Sequence, residues 1–133
     1  MATIKSEVEK LLKDVFIYPF PLTNWVSNIV LVTKKQGTLR VCVDYRDLNR
    51  AYLKDNYATP FIGQIIDECA GSELFSFMDG FPSYNPINIA LANQDKTSII
   101  FPWGSFAYKK LPFGLKNDGA TFQRVMFYVF HDI

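Results

Sequence analysis

Asp79 is the side chain best placed for metal chemistry in this sequence of 133 residues. It directly follows the large apolar stretch Leu74–Met78, and a carboxylate at the end of a strand can hold a catalytic metal ion on a rigid element. The alternative is an aspartate that begins a turn before Gly80. Taken alone, Asp79 leaves both interpretations open.

A cluster of basic residues is the second candidate for chemistry. Five cations lie between positions 34 and 50, where Asp44 and Asp47 are the only carboxylates. The cations are Lys34, Lys35, Arg40, Arg46 and Arg50. On a hairpin, such cations could bind a triphosphate or nucleic-acid phosphates through charge-assisted hydrogen bonds. The alternative is a solvated hairpin with ordinary surface charge, since the formal net charge of the whole chain is only +1.

Several other classes of protein are disfavoured by the sequence. His131 is the single histidine, and there is no Ser/His/Asp set, zinc-ligand spacing or glycine-rich phosphate loop. Cys42 and Cys69 lie in apolar stretches and are expected to be reduced, buried thiols. No apolar run is long enough to span a bilayer, and the first residues do not resemble a secretory signal. We therefore expect an intracellular protein, cytoplasmic or nuclear, without a membrane partner.

The helices that must position these residues are predicted from the spacing of apolar residues. The first covers residues 4–14, and the last runs from Asp118 to the end of the sequence. The second is expected to have Thr59 as its N-cap, Pro60 at its first helical position and Gly71 at its C-terminal stop.

The strands are predicted from β-branched and alternating apolar residues. Stretches 28–34 and 39–45, joined by turn residues, predict a projecting hairpin. Further strands are expected at residues 74–78, 87–91, 97–101 and 106–111. We expect Asp79 and the strand over 87–91 to belong to one sheet. The combination of helices and antiparallel strands predicts an α+β fold.

Four blocks of the sequence, in the same order, resemble the reverse transcriptase domain of gypsy-type LTR retrotransposons of plants. The blocks are Trp25–Lys35, Leu39–Asn49, Phe75–Asp79 and Leu111–Asn117, and Ala120–Arg124 belongs to the same pattern. The likeness extends over nearly the whole chain, from about residue 7 to residue 133. Four blocks in the correct order are far more specific than any single motif.

The resemblance implies the fingers and part of the palm of a right-hand polymerase. Residues 1–78 would form mainly the fingers and the first palm strand, and residues 79–133 the palm and the returning fingers strands, ending in a helix. The implied activity is that of an RNA-directed DNA polymerase, a nucleotidyltransferase. Its partners would be an RNA or DNA template with a primer, deoxynucleoside triphosphates, and the remainder of the polymerase with its RNase H.

The same resemblance implies roles for individual residues. Asp79 matches the first catalytic aspartate, which binds two Mg²⁺ ions. Lys34 or Lys35, together with Arg40, matches the cations that bind the triphosphate. Tyr84 matches the aromatic residue that packs under the sugar. The implied nucleotide site is completed by Gly80, Phe81, Phe113 and Gly114. The residues implied to contact nucleic acid are Arg46, Phe122 and Gln123.

The sequence also departs from the family pattern. Pro82 and Pro86 stand where related plant elements have no proline, and they remove backbone donors beside the expected metal site. No Tyr-x-Asp-Asp motif occurs. We therefore expect a fragment that is truncated before the rest of its active site and is inactive alone. The alternative function is a non-catalytic nucleic-acid-binding remnant of a decayed element.

Overall fold

The computed structural model describes residues 2–76 and 86–132. Its helices are α1 (Ala2–Lys13), α2 (Arg46–Ala51), α3 (Ile62–Cys69), α4 (Leu91–Gln94) and α5 (Asp118–Phe130), with a 3₁₀ turn at Asp95–Thr97. Its strands are β1 (Ile17–Pro19), β2 (Asn28–Thr33), β3 (Leu39–Asp44), β4 (Ile99–Phe101) and β5 (Gly104–Tyr108). Helices combined with antiparallel strands confirm the predicted α+β fold.

Three short strands form an antiparallel sheet in the order β1-β5-β4. The strands predicted over residues 97–101 and 106–111 are present with different bounds as β4 and β5, which form a tight hairpin in which Phe101 pairs with Gly104. β1 was not predicted, because the two prolines at positions 19 and 21 disfavour a strand. Since β1 lies at the edge of the sheet, it tolerates Pro19, which cannot donate a backbone hydrogen bond.

The hydrophobic core lies between this sheet and α1. Val8 of α1 packs against Ile17 of β1 and Ile99 of β4, and all three are almost completely buried. Phe101 and Phe106 complete the cluster. The helix predicted over residues 4–14 is thus confirmed, and its apolar face covers the sheet.

The β2–β3 hairpin is a separate two-stranded sheet. Its register runs from the Asn28–Asp44 pair to the Thr33–Leu39 pair, which confirms the prediction. The backbone of Ser27 joins it to the other sheet, because the Ser27 amide donates to the Ser98 carbonyl at 2.9 Å. All residues from 31 to 40 are exposed, so the end of the hairpin extends into solvent.

The start of the second predicted helix was wrong. α3 begins at Ile62, whereas Thr59 and Pro60 lie in an extended segment before it. Phe61 occupies the N-cap position in a β conformation, and no side chain caps the helix. Proline favours an extended conformation in the residue before it, which separates Thr59 from the helix.

The sequence did not predict α2. Its six residues bury one side chain, that of Leu48. So short a helix carries too little apolar periodicity to be recognised from sequence. It nevertheless orients Asn49, whose side chain donates a hydrogen bond to the Gly114 carbonyl.

The strand predicted over residues 87–91 was wrong. Only Asn88 forms a β-bridge, to Lys110, and Leu91 instead begins α4. The Gln94 side chain donates to the Ile89 carbonyl at 2.9 Å, which holds the chain in its turn toward the 3₁₀ segment. Alternation of apolar residues did not reveal this side-chain contact.

Three further predictions concern the strand before Asp79, the two cysteines and membrane-spanning segments. Residues 74–76 of the strand expected over 74–78 are not in a strand, and residues 77 and 78, with Asp79 after them, lie outside the described residues. Cys42 and Cys69 are free but half-buried rather than buried. Within residues 2–76 and 86–132, no helix is long and apolar enough to cross a membrane.

Candidate nucleotide-binding site

The fold brings together two sequence-predicted site residues that are far apart in the chain. Arg40 projects from β3, and Phe113 lies in the loop between β5 and α5. The Arg40 guanidinium carbon is 6.0 Å from the centroid of the Phe113 ring, a cation–π distance. Phe113 is 71% exposed, so this pair offers a cation and an aromatic face to solvent.

The backbone of Gly114 follows Phe113 in a conformation that favours glycine. Its φ angle is +108°. A Cβ atom there would make only ordinary contacts, the nearest at 3.9 Å from the Tyr45 ring. The φ angle, rather than lack of space, is therefore what requires glycine at this position.

Asn49 of α2 clamps this loop, which the sequence did not predict. Its side-chain amide donates to the Gly114 carbonyl at 3.0 Å, and its Oδ1 accepts from the Lys116 amide at 2.7 Å. One carboxamide thus satisfies a donor and an acceptor of the same loop. The available signal was the position of Asn49 at the end of a matching sequence block.

Asp118, the first residue of α5, holds the same loop from the other side. Its Oδ2 accepts from the amides of Gly114 at 2.8 Å and Leu115 at 2.9 Å. Burial raises the pKa of the Asp118 carboxyl to about 6, although both hydrogen bonds act to lower it. Asp118 was expected only to begin a helix, and its contact with the loop was missed.

Lys34 and Lys35 lie at the exposed end of the β2–β3 hairpin. The Lys34 amide donates to the Thr38 carbonyl at 2.8 Å, which closes the turn. Arg40 pairs with Val32 in the register, so both lysines lie farther toward the tip than the guanidinium. The hairpin places all three cations on one projecting element.

Arg46 forms a bidentate ion pair with Asp44, and the pair lies on the surface. The closest contact, from Nη2 to Oδ2, is 2.7 Å, and Nε donates to Oδ1 at 2.9 Å. These hydrogen bonds lower the pKa of the Asp44 carboxyl. The Arg46 side chain remains 80% exposed, but part of its charge is offset.

Phe122 and Gln123 lie half-buried on α5, immediately before an anchoring residue. Arg124 donates to both carboxylate oxygens of Asp55 at 2.9 Å. Its guanidinium also lies 4.4 Å from the centre of the Tyr57 ring. The helix that carries Phe122 and Gln123 is thereby attached to residues 55–57.

The residues expected next to the metal and the sugar of the nucleotide form a separate group. Asp79, Gly80, Phe81 and Tyr84 lie outside the described residues. Among residues 2–76 and 86–132, no group of three or more His, Cys, Asp or Glu side chains could hold a metal ion. Asp79 alone would not hold two Mg²⁺ ions, which need several carboxylate oxygens.

Comparison with known families identifies the family to which the chain belongs. The family model for reverse transcriptase (RNA-dependent DNA polymerase) matches residues 32–133. The chain belongs to the reverse transcriptase family. Its matched region contains the hairpin strand β3, the Phe113 loop and α5, the elements that carry the described site residues.

Curated relatives of this reverse transcriptase chain include retrotransposon polyproteins. The retrovirus-related Pol polyprotein from transposon 412 of Drosophila melanogaster is 32% identical over 98% of this chain. The transposon Tf2-3 polyprotein of Schizosaccharomyces pombe is 33% identical over 92% of it. The chain spans only 11% and 9% of these two polyproteins, so it corresponds to a small part of each.

Solved structures show the same fold. The foamy viral protease-reverse transcriptase in complex with an RNA/DNA hybrid aligns over 99% of this chain with a TM-score of 0.76 and 18% identity. The same viral protein in complex with double-stranded DNA aligns over 98% with a TM-score of 0.72 and 19% identity. This chain covers 18% and 27% of those two chains, respectively.

Proposed function

We propose that this chain provides the nucleotide-binding surface of an RNA-directed DNA polymerase. The observation that carries the proposal is the proximity of Arg40 to Phe113 at 6.0 Å, with Gly114 held beside them. A guanidinium donates several hydrogen bonds to phosphate oxygens, and an exposed ring supports the apolar parts of a nucleotide. Lys34 and Lys35 add positive charge along the same hairpin.

Template and primer are the proposed macromolecular partners. The family match and two related structures, which contain double-stranded DNA and an RNA/DNA hybrid, support this assignment. Arg46 would contribute to phosphate binding, and Phe122 and Gln123 would lie near the nucleic acid. Further proposed partners are the rest of the polymerase and its RNase H, since the chain spans a small part of its relatives.

The finer classification rests on the sequence blocks described above. We assign the chain to the gypsy type of LTR retrotransposon, of plant origin, in an intracellular setting. We also assign Asp79 as the first catalytic aspartate and Tyr84, with Gly80 and Phe81, to the nucleotide site. Mg²⁺ is the proposed cofactor, and the metal would require carboxylates beyond those that the described residues supply.

The test is a hybrid polymerase in which this chain replaces the aligned segment of the transposon 412 polyprotein. Template-dependent primer extension by the hybrid is the expected result. Arg40→Ala should raise the KM for deoxynucleotides about tenfold, because charge-assisted hydrogen bonds to the triphosphate are lost. Arg50→Ala is the matched control, since it removes an exposed arginine of the same basic cluster that the family resemblance does not place in the nucleotide site.

Two outcomes would contradict the proposal. An unchanged KM in the Arg40→Ala hybrid would remove Arg40 from the nucleotide site. Full activity of an Asp79→Asn hybrid would remove Asp79 from the metal site, since the amide keeps the shape but loses the charge. A folded hybrid that binds an RNA/DNA hybrid yet extends no primer would instead favour the non-catalytic binding function.

A further inference from the structure

Asp118 is the one buried charged side chain in the described part of the chain. Only 6% of the residue is exposed. Its Oδ2 carries both hydrogen bonds from Gly114 and Leu115, whereas its Oδ1 is buried without a hydrogen-bond partner. Burying a carboxylate with one unsatisfied oxygen costs free energy, so its contacts with the loop need a functional explanation.

Two lysines lie near Asp118 but are directed elsewhere. Lys96 and Lys116 line, with Asp118, a cavity of about 300 Å³. The Lys96 ammonium donates to Asn93 Oδ1 at 3.0 Å, and the Lys116 ammonium donates to the Tyr52 carbonyl at 3.1 Å. Within residues 2–76 and 86–132, neither lysine forms an ion pair with Asp118. The carboxylate is therefore bonded to loop backbone alone.

Tyr45 is a further titratable group close to Asp118, and it is neutral. Burial raises the pKa of the Tyr45 hydroxyl well above its usual range, and this hydroxyl donates to the Thr97 carbonyl at 3.2 Å. An ionised Asp118 thus binds the loop amides more strongly than a protonated one, because hydrogen bonds to a charged acceptor are stronger. When Asp118 binds a proton, Oδ1 has the free position for it, since Oδ2 already accepts two hydrogen bonds.

We infer that Asp118 is a positioning residue, which fixes the backbone of Gly114 and Leu115 and thereby keeps Phe113 next to Arg40. Asn49 binds the carbonyl of Gly114, and Asp118 binds its amide, so the peptide groups on both sides of Gly114 are held. The link to nucleotide binding rests on the function proposed above. The effect on the backbone is independent of any nucleotide.

The first test measures amide hydrogen exchange by NMR in the unaltered chain and in Asp118→Ala. Exchange at the Gly114 and Leu115 amides should become about tenfold faster, which corresponds to about 1.4 kcal/mol of lost hydrogen bonding. Asp118→Asn should lie between the two, because its carboxamide oxygen is a neutral acceptor. Asp47→Ala, at an exposed position of α2, is the matched control and should leave both rates unchanged. Unchanged rates in Asp118→Ala would overturn the inference.

A second measurement needs no variant and covers the case in which Asp118→Ala fails to fold. In the unaltered chain, the amide resonances of Gly114 and Leu115 should shift together with pH, with a common midpoint near the Asp118 pKa of about 6. The amide of Gly37, in the distant hairpin turn, serves as the internal reference. Loop amides that do not follow this titration would contradict the inference.

The third measurement connects the loop to nucleotide binding. In the hybrid polymerase, Asp118→Ala should raise the deoxynucleotide KM about tenfold and change kcat little. A purely structural role would instead lower the active fraction, and with it kcat, at constant KM. Faster amide exchange with an unchanged KM would overturn the positioning role. If the unaltered hybrid extends no primer, the proposed function fails, while the amide measurements still decide the role of Asp118.

Discussion

Arg46 shows how one neighbouring residue limits the positive charge available at the start of α2. Asp44 holds it by a bidentate pair, although the Arg46 side chain is 80% exposed. A phosphate must compete with Asp44 for the same donors. The contribution to nucleic-acid binding proposed for Arg46 is therefore limited by Asp44 rather than by access of solvent.

Removing the charge of Asp44 should strengthen nucleic-acid binding. Asp44→Asn should lower the Kd of the chain for an RNA/DNA hybrid and increase the salt slope by about one phosphate contact, because Arg46 becomes available. Fluorescence anisotropy at several salt concentrations measures both quantities. Asp67→Asn on α3 makes the same change in net charge away from the hairpin. Equal effects of the two variants would mean that only net charge matters.

Asp118 should make the stability of the chain depend on pH. Its pKa of about 6 in the folded chain exceeds the ordinary value of 3.8, so folding favours the protonated form. Its contribution to the free energy of unfolding is therefore highest below pH 4, falls as the pH rises to 6, and stays low above that. The total loss is about 3 kcal/mol, an order-of-magnitude value from the pKa shift.

Asp118→Asn should abolish this dependence, because the carboxamide does not titrate. The test compares urea unfolding of the two proteins from pH 4 to pH 7. The difference in their free energies of unfolding should change in favour of the variant as the pH rises. This comparison cancels the titration of Asp44 and Asp55, whose lowered pKa values act in the opposite direction. A constant difference across this range would contradict the prediction.

At the scale of elements, the β2–β3 hairpin depends on its turn. Gly37 has a φ angle of +82°, and no atom lies within 4 Å of a Cβ placed there. Gly37→Ala should therefore destabilise the chain by roughly 1 kcal/mol through backbone strain alone, and Gly37→Asn by less. Gly71→Ala is the control, because Gly71 is equally open and has no positive φ angle. Urea unfolding that ranks all three variants equally would rule out the strain.

α3 differs from the hairpin because its apolar face is not covered by the rest of the described chain. Phe61 is 76% exposed, Ile62 73% and Ile66 62%, and none of the helix residues is buried. The helix was predicted from this apolar face. Its amphipathic pattern was therefore a correct indication of helix, but not of burial within the described residues.

At the scale of the whole molecule, stability and self-association should depend on different residues. Ile62→Gln combined with Ile66→Gln should reduce self-association in sedimentation velocity, because it removes an exposed apolar patch. The free energy of unfolding should change little, since both side chains are exposed. Ile99→Ala is the contrasting variant. It removes a core side chain that is 1% exposed and should cost about 2–5 kcal/mol.

The apolar residues of α5 are a second surface that could take part in self-association. Phe122, Met126 and Phe130 recur at helical spacing along α5. Phe122 and Met126 are half-buried, and Phe130 is 52% exposed. Loss of association in the α3 variant would assign self-association to that helix. Unchanged self-association in this variant would instead assign it to the apolar residues of α5.

The sequence by itself determined those elements whose pattern of apolar residues or turn residues lies entirely within the element. The helices α1 and α5 and the β2–β3 hairpin follow from local periodicity and turn residues, because each pattern repeats within one element. The ordered blocks also identified the family, since Arg40 and Phe113 could be matched without knowing where they lie. Asp79, assigned in the same way, remains a prediction.

The tertiary structure alone decided which distant residues meet. β1 pairs with β5, and the Asn49 side chain holds Gly114, across many intervening residues. Such contacts leave no periodic signal, because a single side chain makes each of them. The same reason explains why the helix α4 and the loop contacts of Asp118 were not foreseen. Local sequence determines the form of an element, whereas packing determines which of its polar atoms find partners.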